Sequence, residues 1–425
     1  MTITIFLVSL LGAMAVGIPI AFALLVSGAI LMWHLGMFDA QIIAENVIHG
    51  ADSYPLLAVP FFLLAGEIMN TGGLSRRLIN FAMTLVGHIH GGLGYVTILA
   101  ALMLAAVSGS AVADAAMLAA LLLPMMNAAG HNPSRSAGLV AASSIVAPVI
   151  PPSIGFIIFG VTANVSISRL FMAGIAPGVM LGLALCITWW LVSRREDVQP
   201  LPRRSLVEVM TALRQALFAL GLPVIIIAGL KMGVFTPTEA GVVAAVYALF
   251  VSMVIYRELT LAELYKACAD AARTSAVVMF LVAAAAVSAW LITVANIPQQ
   301  VISLLEPLID NPIILMMAIM VLVMLVGTAL DLSPTILILV PVLMPLVKTA
   351  GIDPVYFGVL FMINCAIGLI TPPVGVVLNT VAGVGKLRMD QVVAGVMPFM
   401  IAQFALMFLL VLFPSLVTVP ARWFY

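Results

Sequence analysis

The chain has 425 residues, of which 64% are hydrophobic and only 8% charged. A soluble domain carries about 25% charged residues, so a water-soluble globule is excluded, and disordered, collagen-like and disulfide-scaffold chains fall with it. Seventeen Lys and Arg balance seventeen Asp and Glu, which leaves no basic surface for nucleic acid.

The apolar runs are too long for barrel strands of about 9–11 residues, so the expectation is an all-α polytopic membrane protein. The first run, 1–38, carries no charge and no basic leader segment, and is expected to stay as a first transmembrane helix over 1–37. Gly17-Ile18-Pro19 interrupts it, which makes it long for a straight crossing. An arm follows at 38–52, with Asp39, Glu45 and Asp52 but no Lys or Arg. Further uncharged runs occupy 136–168, 170–193, 215–230, 274–305, 311–330 and 354–385. Two of them contain proline breaks, at Pro148 with Pro151-Pro152 and at Pro372-Pro373. Broken helices at membrane depth survive only where protein or a wet cavity surrounds them.

Polar stretches of any length occur only at 194–214 and 257–273, too short for an ATPase or other catalytic domain. Arg194, Arg195, Arg203, Arg204 and Arg214 in the first, with Arg257, Lys266 and Arg273 in the second, place both on the cytoplasmic side. Two crossings, about 215–231 and 236–256, fit between them. The 257–273 stretch has Leu261, Leu264, Tyr265 and Cys268 at helical spacing, and predicts an amphipathic helix in the interface. Three cysteines and five histidines are scattered without metal-ligand spacing.

The sequence repeats at an offset of 221. Pro124, Gly130 and Pro133 fall on Pro345, Gly351 and Pro354, and Pro151-Pro152 falls on Pro372-Pro373. The arm 38–52 then matches about 259–273. Three cations over 257–273 and none over 38–52 favour opposite sides of the membrane, hence an inverted repeat. The expected layout is repeat 1 over 38–178, a linker with scaffold helices over 179–256, repeat 2 over 257–399 and a C-terminal transmembrane helix over 400–425.

The repeat makes two polar constellations equivalent. The first holds Ser108, Gly109, Ser110 and Asp114, then Ser143, then Pro151 and Ser153. The second holds Gly327, Thr328 and Asp331, then Asn364, then Thr371, Pro373 and Gly375. Small hydroxylated residues let a segment turn back as a re-entrant hairpin, and proline pairs free backbone carbonyls in the helix opposite. Hard cations such as Na⁺ bind that set of oxygens. The same Gly and Ser also serve close helix packing; recurrence in both halves, each opposite a Pro-Pro break, favours a site. Asp114 and Asp331 cost about 2.5–3.5 kcal/mol each to insert, and Asp114, Ser143 and Asn364 are candidates for substrate contact or coupling. Glu67, Lys231 and Glu239 suit helix ends. Two competing readings use other chemistry: a stand-alone channel or proton-linked exchanger working through Asp114 and Asp331, and an intramembrane enzyme acting on lipid, for which no Ser/His/Cys constellation is evident.

The stretches SGSAVADAA (108–116), IPPSIGFIIFG (150–160), GVFTPTEAG (233–241), GTALDLSPTILILVPVLMP (327–345), GIDPVYFG (351–358) and TPPVG (371–375) resemble the large membrane subunit of tripartite ATP-independent periplasmic (TRAP) transporters, along nearly the whole chain. They also resemble the large permease of 2,3-diketo-L-gulonate systems within that family. The resemblance implies a secondary transporter of elevator type in the bacterial inner membrane, with no enzymatic activity and no cofactor. Na⁺ is its coupling ion, held by Ser108, Gly109, Ser110, Pro151, Ser153, Gly327, Thr328, Asp331, Thr371, Pro373 and Gly375. It implies a small four-helix membrane subunit, expected as a separate polypeptide, and a periplasmic binding protein that delivers an organic acid.

Overall fold

The computed structural model describes residues 2–423 apart from Arg195 and Asp197, and all their side chains except those of Ile3, Leu304 and Glu306. The described residues form helices and turns, with no strand. Eight of the helices are long and apolar enough to cross a membrane, where a helix satisfies its own backbone without water.

The first half opens with α1 (Thr2–Ala15) and α2 (Ile20–His34), which pack against each other. The segment 1–37 is therefore two helices, a correction to the single transmembrane helix expected there. Pro19 has no N–H to continue α1, and Gly17 takes φ +89° to turn the chain back. The arm α3 (Ala40–Ala51) buries none of its residues and is capped by Asp39, which accepts from the Gln41 amide at 2.8 Å. A 3-10 turn at Tyr54–Leu57 leads into α4 (Ala58–Thr71). Next, α5 (Leu74–Val86) buries Leu74, Leu78 and Phe81 and turns Arg76 and Asn80 outward. The half ends with α6 (Gly92–Ser108), α7 (Ala111–Ala128), α8 (Pro133–Ser144), α9 (Ile154–Ala163) and α10 (Ile167–Ser193).

The second half runs through α11 (Leu206–Lys231), α12 (Pro237–Phe250), α13 (Leu261–Val294), α14 (Ile297–Ile309), α15 (Pro312–Gly327), α16 (Leu332–Thr349), α17 (Pro354–Gly368), α18 (Val376–Gly385), α19 (Met389–Leu412) and α20 (Ser415–Arg422). Helices α11, α12 and α13 each start with a capping box, Ser205 with Glu208, Thr236 with Glu239 and Thr260 with Glu263. Much of the TPTE motif is accounted for by that cap. Two expectations change here. The 257–273 stretch continues without a break into the crossing of α13, because no glycine or proline interrupts it after Thr260. The last crossing spans 389–412 rather than 400–425, and Pro414 separates it from the short α20.

Adding 221 to the bounds of α7 gives those of α16, and to the start of α8 that of α17. Contacts between halves are exchanged in pairs: α4 packs on α12 as α2 packs on α13, and α9 on α16 as α18 on α7. Such reciprocal pairs define a pseudo-two-fold relation between the repeats.

The ends of the bundle give its sense. At one end Arg77 pairs with Glu258 at 2.6 Å, Glu196 receives Arg135 and His131 at 2.9 Å each, and the Leu201 amide donates to the Gly87 carbonyl. Arg77 holds the Glu258 carboxyl below its ordinary range. Burial pushes Glu196 up, but hydrogen bonds and charge from His131 and Arg135 outweigh it and hold that carboxyl low as well. Most of the basic residues of 194–214 belong to this end, while Arg195 lies outside the described residues. At the opposite end Thr238 Oγ1 donates to the Tyr54 carbonyl and Lys231 Nζ to the Trp423 carbonyl. The α6–α7 hairpin opens at the basic end, since the α7–α8 turn carries His131. The α15–α16 hairpin opens at the other, where Pro312 and Asp353 meet Pro414 and Thr418. The repeats are inverted.

Candidate functional site

Each hairpin ends in a tip deep in the bundle, opposite a broken helix. At the first tip α6 stops because Gly109 takes φ +60°, a left-handed conformation that suits glycine. Ser110 caps α7 by accepting from the Ala113 amide. Ser108 Oγ accepts from the Ser110 amide at 3.3 Å and donates to Asp114 Oδ1 at 2.6 Å. Asp114 is fully buried, and its Oδ2 has no partner among the described residues. A Cβ on Gly109 would lie 2.7 Å from the Pro152 carbonyl oxygen, so only glycine lets the tip rest on the break. That break holds the cis Pro151-Pro152 bond, and Ser153 closes it by donating to the Pro148 carbonyl at 2.6 Å while capping α9.

The second tip is built more openly. Gly327 packs on Gly368, where a Cβ would come within 2.8 Å of the Gly327 carbonyl oxygen. Thr328 donates to the Leu325 carbonyl, and Asp331 caps α16 by accepting from the Leu332 amide at 2.8 Å. The break contains the cis Pro372-Pro373 bond and Gly375 at φ +49°. Thr371 Oγ1 donates to the Ile367 carbonyl at 2.8 Å and lies 3.6 Å from Met400 Sδ, so its hydroxyl is engaged away from Asp331. Pro151, Pro152 and Ser153 are buried, whereas Asp331, Pro373 and Val374 are exposed. Ser143 and Asn364, in register, are both fully buried. Asn364 Nδ2 donates to the Met320 carbonyl at 2.5 Å, while Asn364 Oδ1 and Ser143 Oγ have no partner among the described residues.

Both tips meet at one cavity of about 160 Å³. Of the candidates singled out in the sequence, Gly109, Ser110 and Asp331 line it. Ser108, Asp114, Ser143, Pro151, Ser153, Gly327, Thr328, Asn364, Thr371, Pro373 and Gly375 are not among its lining residues. Sequence reasoning missed Val112, Ser333 and Thr274 as lining residues. Ser333 lies two residues after Asp331 in the same motif, a signal that was available. Thr274 could be placed only by the fold, because it stands on α13, outside both hairpins.

The cavity has a definite electrostatic character. Val112, Gly155 and Ser333 are the second residues of α7, α9 and α16, and all three line it. First-turn amides have no partner within their own helix, and the aligned dipoles place positive charge there. Three such ends facing one cavity favour an anion. Cation chemistry is present alongside. Helices α6 and α15 end at the tips, and Asp114, Ser143 and Asn364 each keep a buried oxygen without a partner among the described residues, a hard donor of the kind Na⁺ takes. The cavity wall thus offers helix ends suited to an anion, with Asp331 and Ser110 as the oxygen donors on it suited to a small hard cation.

A family model described as "Tripartite ATP-independent periplasmic transporter, DctM component" matches residues 7–416. The chain is 56% identical over 423 residues to the 2,3-diketo-L-gulonate TRAP transporter large permease protein YiaN of Escherichia coli (strain K12), with 100% of each chain covered. It is 37% identical over 405 residues to the sialic acid TRAP transporter large permease protein SiaM of Vibrio cholerae, covering 95% of each. Among solved structures, that of the Alcanivorax borkumensis YdaH transporter matches with a TM-score of 0.63 over 88% of this chain and 89% of that one, at 16% identity, a likeness of fold.

Proposed function

This chain belongs to the DctM family of tripartite ATP-independent periplasmic transporters, and from that premise we propose that it is the large permease of a Na⁺-coupled importer of organic acids. It is a multi-pass membrane transporter rather than an enzyme. The observation that carries the proposal is the single cavity on which two hairpin tips and three helix N-termini converge. An organic carboxylate takes the positive helix ends at Val112, Gly155 and Ser333. Na⁺ takes the carbonyls and hydroxyls at the tips, with Asp331 on one side and the Ser108–Asp114 pair behind the other. Neutralising carboxylate and cation together lowers the cost of carrying either through the bilayer.

In this reading the basic end faces the cytoplasm of a bacterium and the acidic arm α3 faces the periplasm. The hairpins with their broken helices move as a unit against α2, α4, α12 and α13, an elevator motion. A small membrane subunit completes the assembly, and a periplasmic binding protein delivers the acid. The 56%-identical relative is named for 2,3-diketo-L-gulonate, and a sugar acid of that kind is the proposed substrate class.

Reconstitution in proteoliposomes with the small subunit and the binding protein tests the proposal. Uptake of 2,3-diketo-L-gulonate is expected to require an inward Na⁺ gradient. Equal uptake with K⁺ replacing Na⁺ on both sides would refute the coupling.

A further inference from the structure

Two hydroxyls on the wall of the cavity at the hairpin tips have opposite hydrogen-bonding sense. Ser110 Oγ accepts from the Ala113 amide, which uses a lone pair and leaves its proton to donate. Thr274 Oγ1 donates its proton to the Asp270 carbonyl of its own helix at 3.0 Å. Both side chains line the cavity. A hydroxyl has one proton, so Thr274 can only accept from whatever lies in front of it.

The two hydroxyls also stand on different walls. Ser110 caps α7, on the side of the helix ends at Val112, Gly155 and Ser333, which carry partial positive charge. Thr274 stands on the scaffold side, with Val278 one turn further along α13 and Leu63 of α4. Of those three lining residues Thr274 alone is polar. The scaffold side is also acidic. Asp270 lies one turn before Thr274 and Glu67 one turn after Leu63, and Arg273 is 4.0 Å from Asp270. The hairpin side therefore gives protons to a ligand, and the scaffold side takes one.

We infer that Thr274 selects a hydroxylated monocarboxylic acid over a dicarboxylate. The carboxylate lies at the helix ends, where Ser110 donates to it, and a chain hydroxyl of the acid donates to Thr274 Oγ1. A second carboxylate has no proton to give and meets a lone pair with acids behind it. A hydrocarbon tail gains nothing there. The inference rests on the organic-acid reading above and adds to it the group that reads the chain beyond the carboxylate. 2,3-Diketo-L-gulonate meets the requirement, because its carbons farthest from the carboxylate carry hydroxyls.

Thermal unfolding of the chain assembled with its small subunit, in Na⁺ and without the binding protein, tests this. A ligand of the folded assembly raises its melting temperature with concentration, and the series gives an apparent Kd. The probes are 2,3-diketo-L-gulonate, hexanoate (the same carbon count without hydroxyls) and succinate. Thr274→Val keeps the shape but removes the acceptor. It should weaken 2,3-diketo-L-gulonate about fivefold and leave hexanoate unchanged, while Thr274→Ser stays within about twofold of the parent. The parent should bind succinate more weakly than 2,3-diketo-L-gulonate, and Thr274→Val should narrow that gap. Thr274→Ala removes the same oxygen without a branched side chain, so the split between ligands must recur there even if valine crowds the wall. Equal losses for 2,3-diketo-L-gulonate and hexanoate would reduce Thr274 to packing, and an unchanged Kd would remove the contact. Either overturns the inference and leaves the organic-acid reading standing. A parent that 2,3-diketo-L-gulonate does not stabilise in Na⁺ counts against that reading itself and takes the inference with it.

Discussion

Ser108 donates to Asp114 across 2.6 Å with both side chains buried, so a carboxylate braces the first hairpin tip from within. In the second repeat the position of Asp114 is taken by Thr335, whose hydroxyl bonds the Asp331 carbonyl of its own helix. One tip is therefore tied by a side chain across the hairpin, and the other by local backbone bonds.

That tie predicts an order of effects. Ser108→Ala leaves the buried carboxylate without its hydroxyl partner and should cost about 1–3 kcal/mol, read as a lower melting temperature of the purified assembly. Asp114→Asn keeps an oxygen that can accept from Ser108, so it should destabilise less while raising the Na⁺ concentration needed for half-maximal uptake. The reverse order in the melts would show that the hydrogen bond is not what holds the tip.

Asp331→Asn should raise half-saturation by Na⁺ about tenfold, equivalent to about 1.4 kcal/mol of lost cation binding. Thr371→Ala should raise it less, because that hydroxyl already serves the Ile367 carbonyl. Initial uptake rates over a Na⁺ series, on variants with unchanged melting, give the comparison. Identical half-saturation in Asp331→Asn and the parent would remove Asp331 from the ion site.

Omitting either the small membrane subunit or the binding protein should abolish uptake. Full uptake by this chain alone in proteoliposomes would contradict the tripartite reading.

Single cysteines at Ala44, on α3, and at Ala262, in the first turn of α13, should react with a membrane-impermeant thiol reagent from opposite faces. The arms are register partners in inverted repeats, and only the second carries cations. Labelling of both from one face would contradict the proposed orientation.

The Glu196 clasp predicts a pH dependence. Its carboxyl is held below the unfolded value of about 4.3, so the clasp contributes stability above that pH and loses it as pH falls through the lowered folded value. Glu196→Gln should therefore melt earlier than the parent at neutral pH, with the gap closing below about pH 4. A gap that persists in acid would mean that the charge contributes nothing.

Much of this architecture is legible in the sequence because prolines and glycines mark chain geometry directly. Pro151-Pro152 and Pro372-Pro373 locate both breaks, and SGS and GTALD locate both tips, since backbone turns at membrane depth need those residues whatever surrounds them. Helix ends inside apolar runs are harder to read. Leu, Ala and Met surround the turn at 16–19 and the join at 271–276 alike, and apolar membrane sequence lacks the polar contrast that periodicity needs. The site is legible only in part for a different reason. Thr274 enters the cavity through packing of α13 against the hairpins, and Thr371 stays out of the cavity wall, its hydroxyl donating to a carbonyl one turn earlier. Neither choice is encoded within the motif itself.

The two arms also differ mechanically. Where α13 runs unbroken from Leu261 to Val294, the matching stretch of the first repeat is cut into α3, a 3-10 turn and α4. One arm is thus a stiff rod, and the other carries an elbow at 52–57. Hydrophobic mismatch strains tilted helices, and a bilayer that thins or thickens is expected to bend the arm with the elbow more than the unbroken one. Transport rate in membranes of graded acyl-chain length therefore reports on Asp52–Leu57, and stiffening that elbow alone should flatten the dependence on thickness.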